Sequence, residues 1–181
     1  NTGGMGAYSP SRLENEILDK KILEKIIKPT IKGLEDFKTK FVGFLYAGLM
    51  IDQKGTVTVL EYNCRFGDPE PQPIMMRLQS NLAKLCLMGA NGSLDKAVAN
   101  WDSRSSLGVV MAADGYPYSY QKGDEISLPA SSSNSKVFHA GTMLDNYQIL
   151  SNGGRVLCAT SLGKDLKDAQ DKAYELVNKV K

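Results

Sequence analysis

The stretch TVTVLEYNCRFGDPE, residues 56–70, decides how the first half of this chain folds. It begins as a β-strand pattern and then turns polar, with Glu61, Asn63 and Arg65 at every second position. Side chains two residues apart on a strand share a face, so extended geometry would group these three with Val57 and Val59. The pattern predicts a strand that is apolar where it starts and carries polar groups where it ends.

Two interpretations of this strand end follow from the residues alone. Glu61 and Asn63 offer the oxygen ligands that Mg²⁺ accepts together with water and phosphate, and the Arg65 fork suits a phosphate in transfer. The alternative is a half-exposed strand end whose Glu–Arg surface pair contributes about 0–1 kcal/mol. The next acids, Asp68 and Glu70, suit an amine substrate or a solvated turn. Both interpretations remain open at this point.

The segments before this strand predict a loop and a hairpin. Residues 41–51, FVGFLYAGLMI, form an apolar run that predicts a buried strand, and residues 52–55 form the turn that pairs it with the next strand. The chain opens with NTGGMGAYSP, a predicted loop whose glycines can present backbone N–H groups to an anion. A loop without a ligand is the alternative.

Helix signals are spaced along the rest of the chain. Ser11 and Glu14 form a capping box that predicts a helix from Ser11 to about Lys28, with Pro29 kinking or ending it. Further helices are predicted over residues 74–88, 94–101 and 166–180. Short strands are predicted in SLGVVMAA, VFHAGT and GGRVLCATSLG. The change of character near residue 104 predicts two domains, residues 1–104 and 105–181.

Composition excludes several classes of protein. The 181 residues carry a net charge of +2, without the basic excess expected of a nucleic-acid binder. No apolar run reaches the roughly 18 residues needed to span a bilayer, so no membrane partner is expected. Cys64, Cys86 and Cys158 lack CxxC spacing and predict reduced thiols in a cytoplasmic protein, without a zinc site.

The ordered motifs NTGGMGAYSP, GFLYAGLMID, EYNCRFGDPE, SLGVVMAADGYP, KVFHAGT and NGGRVLCATSLG together resemble one family. They resemble the glycinamide ribonucleotide synthetases, or phosphoribosylamine–glycine ligases, of the ATP-grasp superfamily. The resemblance implies an α+β fold: the C-terminal part of an ATP-grasp domain, mainly antiparallel sheet with helices, followed by a small β-rich domain with a closing helix. It implies an ATP-dependent carbon–nitrogen ligase of purine biosynthesis, which joins glycine to 5-phosphoribosylamine through glycyl phosphate.

The resemblance also implies roles for individual residues. Glu61 and Asn63 match the ligands of Mg²⁺ (or Mn²⁺), and Arg65 matches the catalytic arginine that steadies phosphoryl transfer. The substrate-binding positions that match are Asn1, Thr2, Gly3, Gly4, Met5, Gly6, Gly67, Asp68 and Pro69. Cys64 is expected to be a packing residue on the opposite face. A second acidic ligand is missing from residues 41–51, so Asp52 or water would have to complete the metal site.

Three further expectations concern what the chain lacks and what its other residues do. Family members carry an N-terminal domain and an adenine-binding lid before the glycine-rich loop, so this chain is expected to be a C-terminal part that does not turn over alone. Another ATP-grasp carboxylate–amine ligase and a non-catalytic binding module are the alternative functions. Arg155 is interpreted as half of a surface or interdomain ion pair, and His139 as a structural residue.

Overall fold

The computed structural model describes residues 2–181, which form two compact units. The first contains the residues up to Pro10, Asp68–Gln79 and the residues from Asn100 onward, and the second contains Ser11–Gly67 and Ser80–Ala99. Both combine helices with antiparallel strands, which confirms the α+β class. Each unit is made of segments that lie apart in the sequence, so the units do not correspond to a single boundary along the chain. The expected domain boundary between residues 104 and 105 stays a prediction.

The first unit is built on a four-stranded antiparallel sheet. Its order is β1 (Gly6–Ser9), β4 (Ser105–Ala112), β9 (Arg155–Gly163) and β6 (Ser135–His139). A three-stranded sheet of β5 (Glu125–Ile126), β8 (Gln148–Ser151) and β7 (Thr142–Asp145) belongs to the same unit. Strand β1 was missed by the sequence interpretation, which extended the opening loop to Pro10, because four residues are too few to show a period.

The core of the first unit lies around β9. Every residue of this strand after Arg155 is buried, since β4 and β6 pair with its two edges. Helix α5 (Leu166–Val177) packs on β9 and β4, with Ala169, Ala173 and Leu176 buried. Its start and its buried alanines confirm the predicted closing helix, although it ends at Val177 rather than at residue 180. Gly163 allows the close approach, because a Cβ there would lie 2.1 Å from the Ala169 nitrogen.

The second unit begins with a helix that contains a π-turn. The capping box predicted at Ser11 is wrong, because α1 (Glu16–Ile22) starts after Asn15, whose Oδ1 accepts the Leu18 N–H at 2.9 Å. Residues Leu23–Ile27 are π-helical and lead into α2 (Lys28–Asp36). Proline therefore does not end the helix. Pro29 lies near the start of α2, directly after the π-turn, and the helical conformation continues through it.

A hairpin with a bulge follows the helix. Strands β2 (Tyr46–Ile51) and β3 (Val57–Asn63) pair antiparallel across the predicted turn. The strand expected over residues 41–51 is shorter than predicted, and none of those residues is buried. Val59 pairs with Leu49, whereas Glu61 pairs with Gly48, so Leu60 is the extra residue of a bulge.

The helix predicted over residues 74–88 is two helices. Helix α3 (Pro71–Arg77) belongs to the first unit, and α4 (Leu82–Ala90) belongs to the second. Leu78 ends α3 in an extended conformation and forms an isolated β-bridge with Trp101, while Asn81 caps α4 by accepting the Lys84 N–H. The helix expected over 94–101 is only the 3₁₀ turn Leu94–Lys96.

A network of polar side chains lies next to the start of β4 in the first unit. The Arg104 guanidinium binds both carboxylate oxygens of Asp102, with Nη2–Oδ2 at 2.7 Å and Nε–Oδ1 at 3.0 Å. Arg77 donates from Nε to the Asp102 carbonyl at 3.1 Å and from Nη1 to Ser9 Oγ at 2.8 Å. The side-chain and backbone hydrogen bonds from Arg104 lower the pKa of Asp102 to about 2.

The stability of the chain should therefore depend on Asp102 in a pH-dependent way. Because the pKa of Asp102 is lower in the folded than in the unfolded chain, its stabilisation is present above about pH 4 and is lost as the pH falls towards 2. Asp102→Asn should lower the free energy of unfolding by about 1 kcal/mol at pH 6, a figure discounted for the exposure of Arg104. Urea unfolding at pH 6 and pH 2.5 measures this difference, which should shrink at the lower pH.

The control is Asp171→Asn, which removes an exposed ion pair with Lys167 on α5. That variant should change the free energy of unfolding by much less at both pH values. A pH-independent loss in Asp102→Asn would contradict the assignment to the Arg104 ion pair.

Candidate functional site

Glu61 and Asn63 are in contact at the end of β3. Asn63 Nδ2 donates to Glu61 Oε1 at 3.1 Å, so the two side chains lie on the same side of the strand as predicted. The Glu61 side chain packs over Gly48 on β2, where a Cβ would come within 3.1 Å of Glu61 Cγ. The glycine of the opposite strand therefore leaves room for the acidic side chain.

The bulge changes which residues share that face. Glu61 and Val59 pair with successive residues of β2, and successive residues of a strand point to opposite faces. The expectation that Val57 and Val59 share a face with Glu61 is therefore wrong. The physical reason is the extra residue Leu60, which reverses the alternation of side chains along β3 just before the acidic residue.

Arg65 lies beyond the end of β3 and is not drawn into this pair. Its Nη1 donates to the carbonyl of Phe66 at 2.8 Å, and no ion pair joins it to Glu61 within residues 2–181. The Phe66 ring stacks on Phe44, with centroids 3.9 Å apart, which anchors the segment after the strand. Cys64 is exposed, so its expected role in packing is wrong.

The two oxygen-bearing side chains fit a divalent cation that keeps several other ligands. Asp52 does not complete the set, because it accepts the Lys54 and Thr56 N–H groups in the turn at the other end of the hairpin. Those backbone bonds, led by the one from Thr56, lower its pKa. Among residues 2–181, no three His, Cys, Asp or Glu side chains converge as a metal site. Mg²⁺ is commonly held by one or two protein oxygens plus water and phosphate, so the donor set suits it.

Among the described substrate-side residues, Gly4, Asp68 and Pro69 lie close together in the first unit. Asp68 binds Arg155 through two parallel hydrogen bonds, Nη2–Oδ2 at 2.6 Å and Nη1–Oδ1 at 3.0 Å. The same Nη1 donates to the Gly4 carbonyl at 3.2 Å. Gly67 is buried and belongs to the second unit. Asn1 lies outside the described residues.

The glycine-rich loop is packed closely against these groups. The Gly3 N–H donates to the Tyr116 hydroxyl at 3.1 Å, and the Met5 carbonyl accepts the Val110 N–H at 3.0 Å. A Cβ at Gly4 would lie 2.4 Å from Pro69 Cδ. Gly6 already belongs to β1, where it pairs with Val109, and Thr2 is exposed. Gly4 is thus held beside Asp68 and Pro69, and Gly3 beside Arg155 and Tyr116.

A pocket of about 420 Å³ lies within this unit. Its lining includes Asp68, Pro69, Gln72, Tyr116, Arg155 and Cys158. The Gln72 Oε1 is buried without a hydrogen-bond partner among the described residues, so it offers an acceptor for a ligand hydroxyl or amine. Burial raises the pKa of the Cys158 thiol, which keeps it protonated and excludes it as a nucleophile near neutral pH.

Tyr116 and Gln72 were not predicted as site residues, and Arg155 was predicted to form an ion pair without a named partner. Tyr116 follows Gly115 in a turn, and Arg155 follows Gly153 and Gly154, so glycines beside a long polar side chain were the available signal. The ion pair favoured for Arg155 is confirmed, with Asp68 as its partner. His139 lies at the end of β6, where its Nδ1 is 3.0 Å from Thr142 Oγ1.

Comparison with family sequence models gives two matches. The ATP-grasp (A) domain of phosphoribosylglycinamide synthetase matches residues 1–71, and the C domain of the same synthetase matches residues 106–181. The chain belongs to the phosphoribosylglycinamide synthetase family. The resemblance inferred from the motifs is confirmed at this level.

Individual relatives agree with the family. A phosphoribosylamine–glycine ligase of Vibrio parahaemolyticus is 53% identical over 182 residues, which cover 99% of this chain and 42% of the relative. The crystal structure of a phosphoribosylamine–glycine ligase from Thermotoga maritima aligns with a TM-score of 0.85 and 36% identity, over 100% of this chain and 44% of that one. This chain spans less than half the length of these relatives.

A more distant structure shares the fold alone. The biotin carboxylase domain of a Hydrogenobacter thermophilus 2-oxoglutarate carboxylase aligns with a TM-score of 0.70 at 14% identity, over 98% of this chain and 38% of that one. Within residues 2–181, no helix combines the length and the apolar character needed to cross a membrane.

The Glu61–Asn63 pair should bind a divalent cation in the 181-residue chain. Mn²⁺, added at low concentration to the ¹⁵N-labelled chain, should broaden the amide signals of residues 60–64 through its unpaired electrons. Glu61→Gln removes the only charged donor of the pair and should weaken the apparent affinity on the order of tenfold, equivalent to about 1.4 kcal/mol. Glu35→Gln, at an exposed acid on α2, is the control and should leave the broadening unchanged. Broadening that survives Glu61→Gln, or that centres elsewhere, would contradict the site.

Proposed function

We propose that this chain supplies the later part of the ATP-grasp domain and the C domain of a phosphoribosylamine–glycine ligase. The complete enzyme would use ATP to join glycine to 5-phosphoribosylamine, an amide-forming step of purine biosynthesis. Both family matches and the names of the relatives support this assignment. The observation that carries it is the Glu61–Asn63 contact, because the segment matched as ATP-grasp brings two magnesium-type donors together at one strand end.

Glu61 and Asn63 would hold the divalent cation, Mg²⁺ or Mn²⁺. The ion, when bound, neutralises charge on the nucleotide phosphates and so favours transfer of the γ-phosphoryl group. Glu61 supplies a negative oxygen and Asn63 a neutral one, which leaves the remaining coordination positions to water and phosphate oxygens. Gly48 leaves room for the Glu61 side chain, since a Cβ at that position would lie 3.1 Å from Glu61 Cγ.

Arg65 would stabilise the charge on the phosphoryl group and on the acyl phosphate. Its guanidinium is exposed, and only Nη1 is used in the bond to the Phe66 carbonyl. The other donors of the fork are therefore available to phosphate oxygens, which a guanidinium binds in a bidentate manner. Positively charged donors aimed at developing phosphate charge contribute to catalysis by electrostatic stabilisation.

The glycine-rich loop and residues 67–69 would bind the amine substrate. Asp68, Tyr116 and Gln72 line the pocket, and they present acceptors that suit the hydroxyl and amine groups of an aminated sugar. The Arg155 guanidinium gives the same rim a positive group. A polar pocket with several convergent hydrogen-bonding groups is typical of small-molecule sites.

The proposed reaction takes place in two steps. A carboxylate oxygen of glycine attacks the γ-phosphorus of ATP, the bond to the ADP oxygen breaks, and glycyl phosphate forms. The amine nitrogen of 5-phosphoribosylamine then attacks the glycyl carbonyl carbon, inorganic phosphate leaves and the nitrogen loses one proton. No protein nucleophile takes part, so the residues act by positioning and by charge stabilisation.

A chimeric ligase tests this function. The chain replaces the matching 42% of the Vibrio parahaemolyticus relative, and ADP release is measured with glycine and freshly generated 5-phosphoribosylamine. We expect ADP release that depends on both substrates. Glu61→Gln and Arg65→Ala should each lower kcat/KM by about 10²–10³, because each removes charge stabilisation from phosphoryl transfer.

Glu35→Gln is the matched control for charge removal and should keep full activity. A folded chimera that releases ADP with another carboxylate but not with glycine would assign the chain to a different ATP-grasp ligase. A folded chimera that binds Mg·ADP with equal heat before and after Glu61→Gln, and releases no ADP, would identify a non-catalytic binding module.

A further inference from the structure

Arg155 joins three segments that lie far apart in the sequence. Its guanidinium binds both carboxylate oxygens of Asp68, and the Nη1 that binds one of them also donates to the Gly4 carbonyl. Arg155 itself is the first residue of β9, the buried central strand of the sheet. One side chain therefore ties the glycine-rich loop and Asp68 to a strand that is paired on both edges.

The glycines of the opening loop fit this arrangement sterically. A Cβ at Gly3 would lie 2.7 Å from Arg155 Cζ, and one at Gly4 would lie 2.4 Å from Pro69 Cδ. Distances below about 3 Å are not tolerated by a real Cβ, so a side chain at Gly3 would displace the Arg155 guanidinium or the loop, and one at Gly4 would clash with the Pro69 ring. The loop is glycine-rich where the guanidinium and the proline ring approach its backbone.

Tyr116 holds the same loop from a second direction. Its hydroxyl accepts the Gly3 N–H at 3.1 Å, and its ring lies against Gly154, where a Cβ would be 2.2 Å from Cδ2. Gly154 precedes Arg155 directly, so the start of β9 positions both groups. The register of β9 against β4 is also irregular here, between Met111 and Ala112, and such irregularities re-aim side chains near functional sites.

We propose that Arg155 is a positioning residue for the amine-substrate side of the ligase site. It fixes Asp68, which lines the 420 Å³ pocket, and holds the glycine-rich loop against Asp68 through the Gly4 carbonyl. The inference rests on the proposed function for the identity of that substrate, whereas the fixing of the loop is independent of it. Arg155 uses a planar fork for this role, which lysine cannot reproduce although it carries the same charge.

The chain contains a matched control for this pair. Arg104 also binds an aspartate with both carboxylate oxygens, through Nη2 at 2.7 Å and Nε at 3.0 Å to Asp102, in the same unit. Neither residue lines the pocket. Arg104→Lys therefore removes an equivalent fork without touching the glycine-rich loop.

The first experiment measures the loop in the 181-residue chain by ¹⁵N relaxation. In the unchanged chain the amide order parameters of Gly3, Gly4 and Met5 should approach the value of about 0.85 typical of rigid backbone. Arg155→Lys should lower them below about 0.6, and Arg104→Lys should leave them unchanged. Unchanged order parameters in Arg155→Lys, or an equal fall in both variants, would overturn the proposal.

The second experiment measures kinetics in the chimeric ligase. Arg155→Lys should lower kcat/KM for 5-phosphoribosylamine by about 10², the size of effect expected from a small misplacement of a binding group. The KM values for ATP and glycine should not change. Asp68→Asn should give the same loss, and the double variant should be no worse than either single one, because the two side chains act as one unit.

An equal loss of kcat/KM for all three substrates would indicate that Arg155 has a structural role only. It would overturn the proposal that Arg155 positions groups for the amine substrate. If the unchanged chimera shows no ADP release that depends on the amine, the proposed function fails. The relaxation result still decides then whether Arg155 fixes the loop.

Discussion

Strand β9 makes backbone hydrogen bonds on both edges, with β4 on one side and β6 on the other, and it is buried along almost its whole length. A strand in this position cannot shift without breaking two ladders at once. Helix α5 and helix α3 both pack on it. Arg155, the first residue of β9, lines the pocket together with Leu157 and Cys158 of the same strand.

This arrangement explains why the pocket residues come from distant parts of the sequence. Asp68 precedes α3 and Gln72 is the second residue of that helix. Tyr116 lies in a turn after β4, and Arg155 begins β9. None of these side chains is near another in the sequence, except Asp68 and Gln72. At Gly3, Gly4 and Gly154 a neighbouring side chain packs directly against the glycine backbone, in the space that a Cβ would need. Small-molecule sites are often built on such loops held by a rigid sheet.

The strand-end pair depends on a different local feature, the bulge at Leu60. Without the extra residue, Glu61 would share the face of Val57 and Val59, and its carboxylate would lie over an apolar surface. The bulge places Glu61 opposite Gly48, beside Asn63. Desolvating an unpaired carboxylate is costly, and the bulge leaves Glu61 exposed, away from the face of the half-buried valines.

Local sequence signals were sufficient to predict several elements of the fold and the two donors at the end of β3, but not Tyr116 and Gln72 of the pocket. Periodic apolar residues predicted the hairpin, the strands β4 and β9 and the closing helix, and the alternation from Glu61 to Arg65 singled out the strand-end residues. Residues in direct alternation on one strand are neighbours by geometry, so the contact of Glu61 with Asn63 could be predicted.

Long-range contacts produce four features that local patterns did not predict: the bulge, the short strand β1, the break between α3 and α4, and the Asp68–Arg155 ion pair. The reason is physical. A bulge and a four-residue strand are stabilised by hydrogen bonds to a partner strand, and an ion pair across 87 residues depends on where the sheet places each side chain, which no local pattern of residues records.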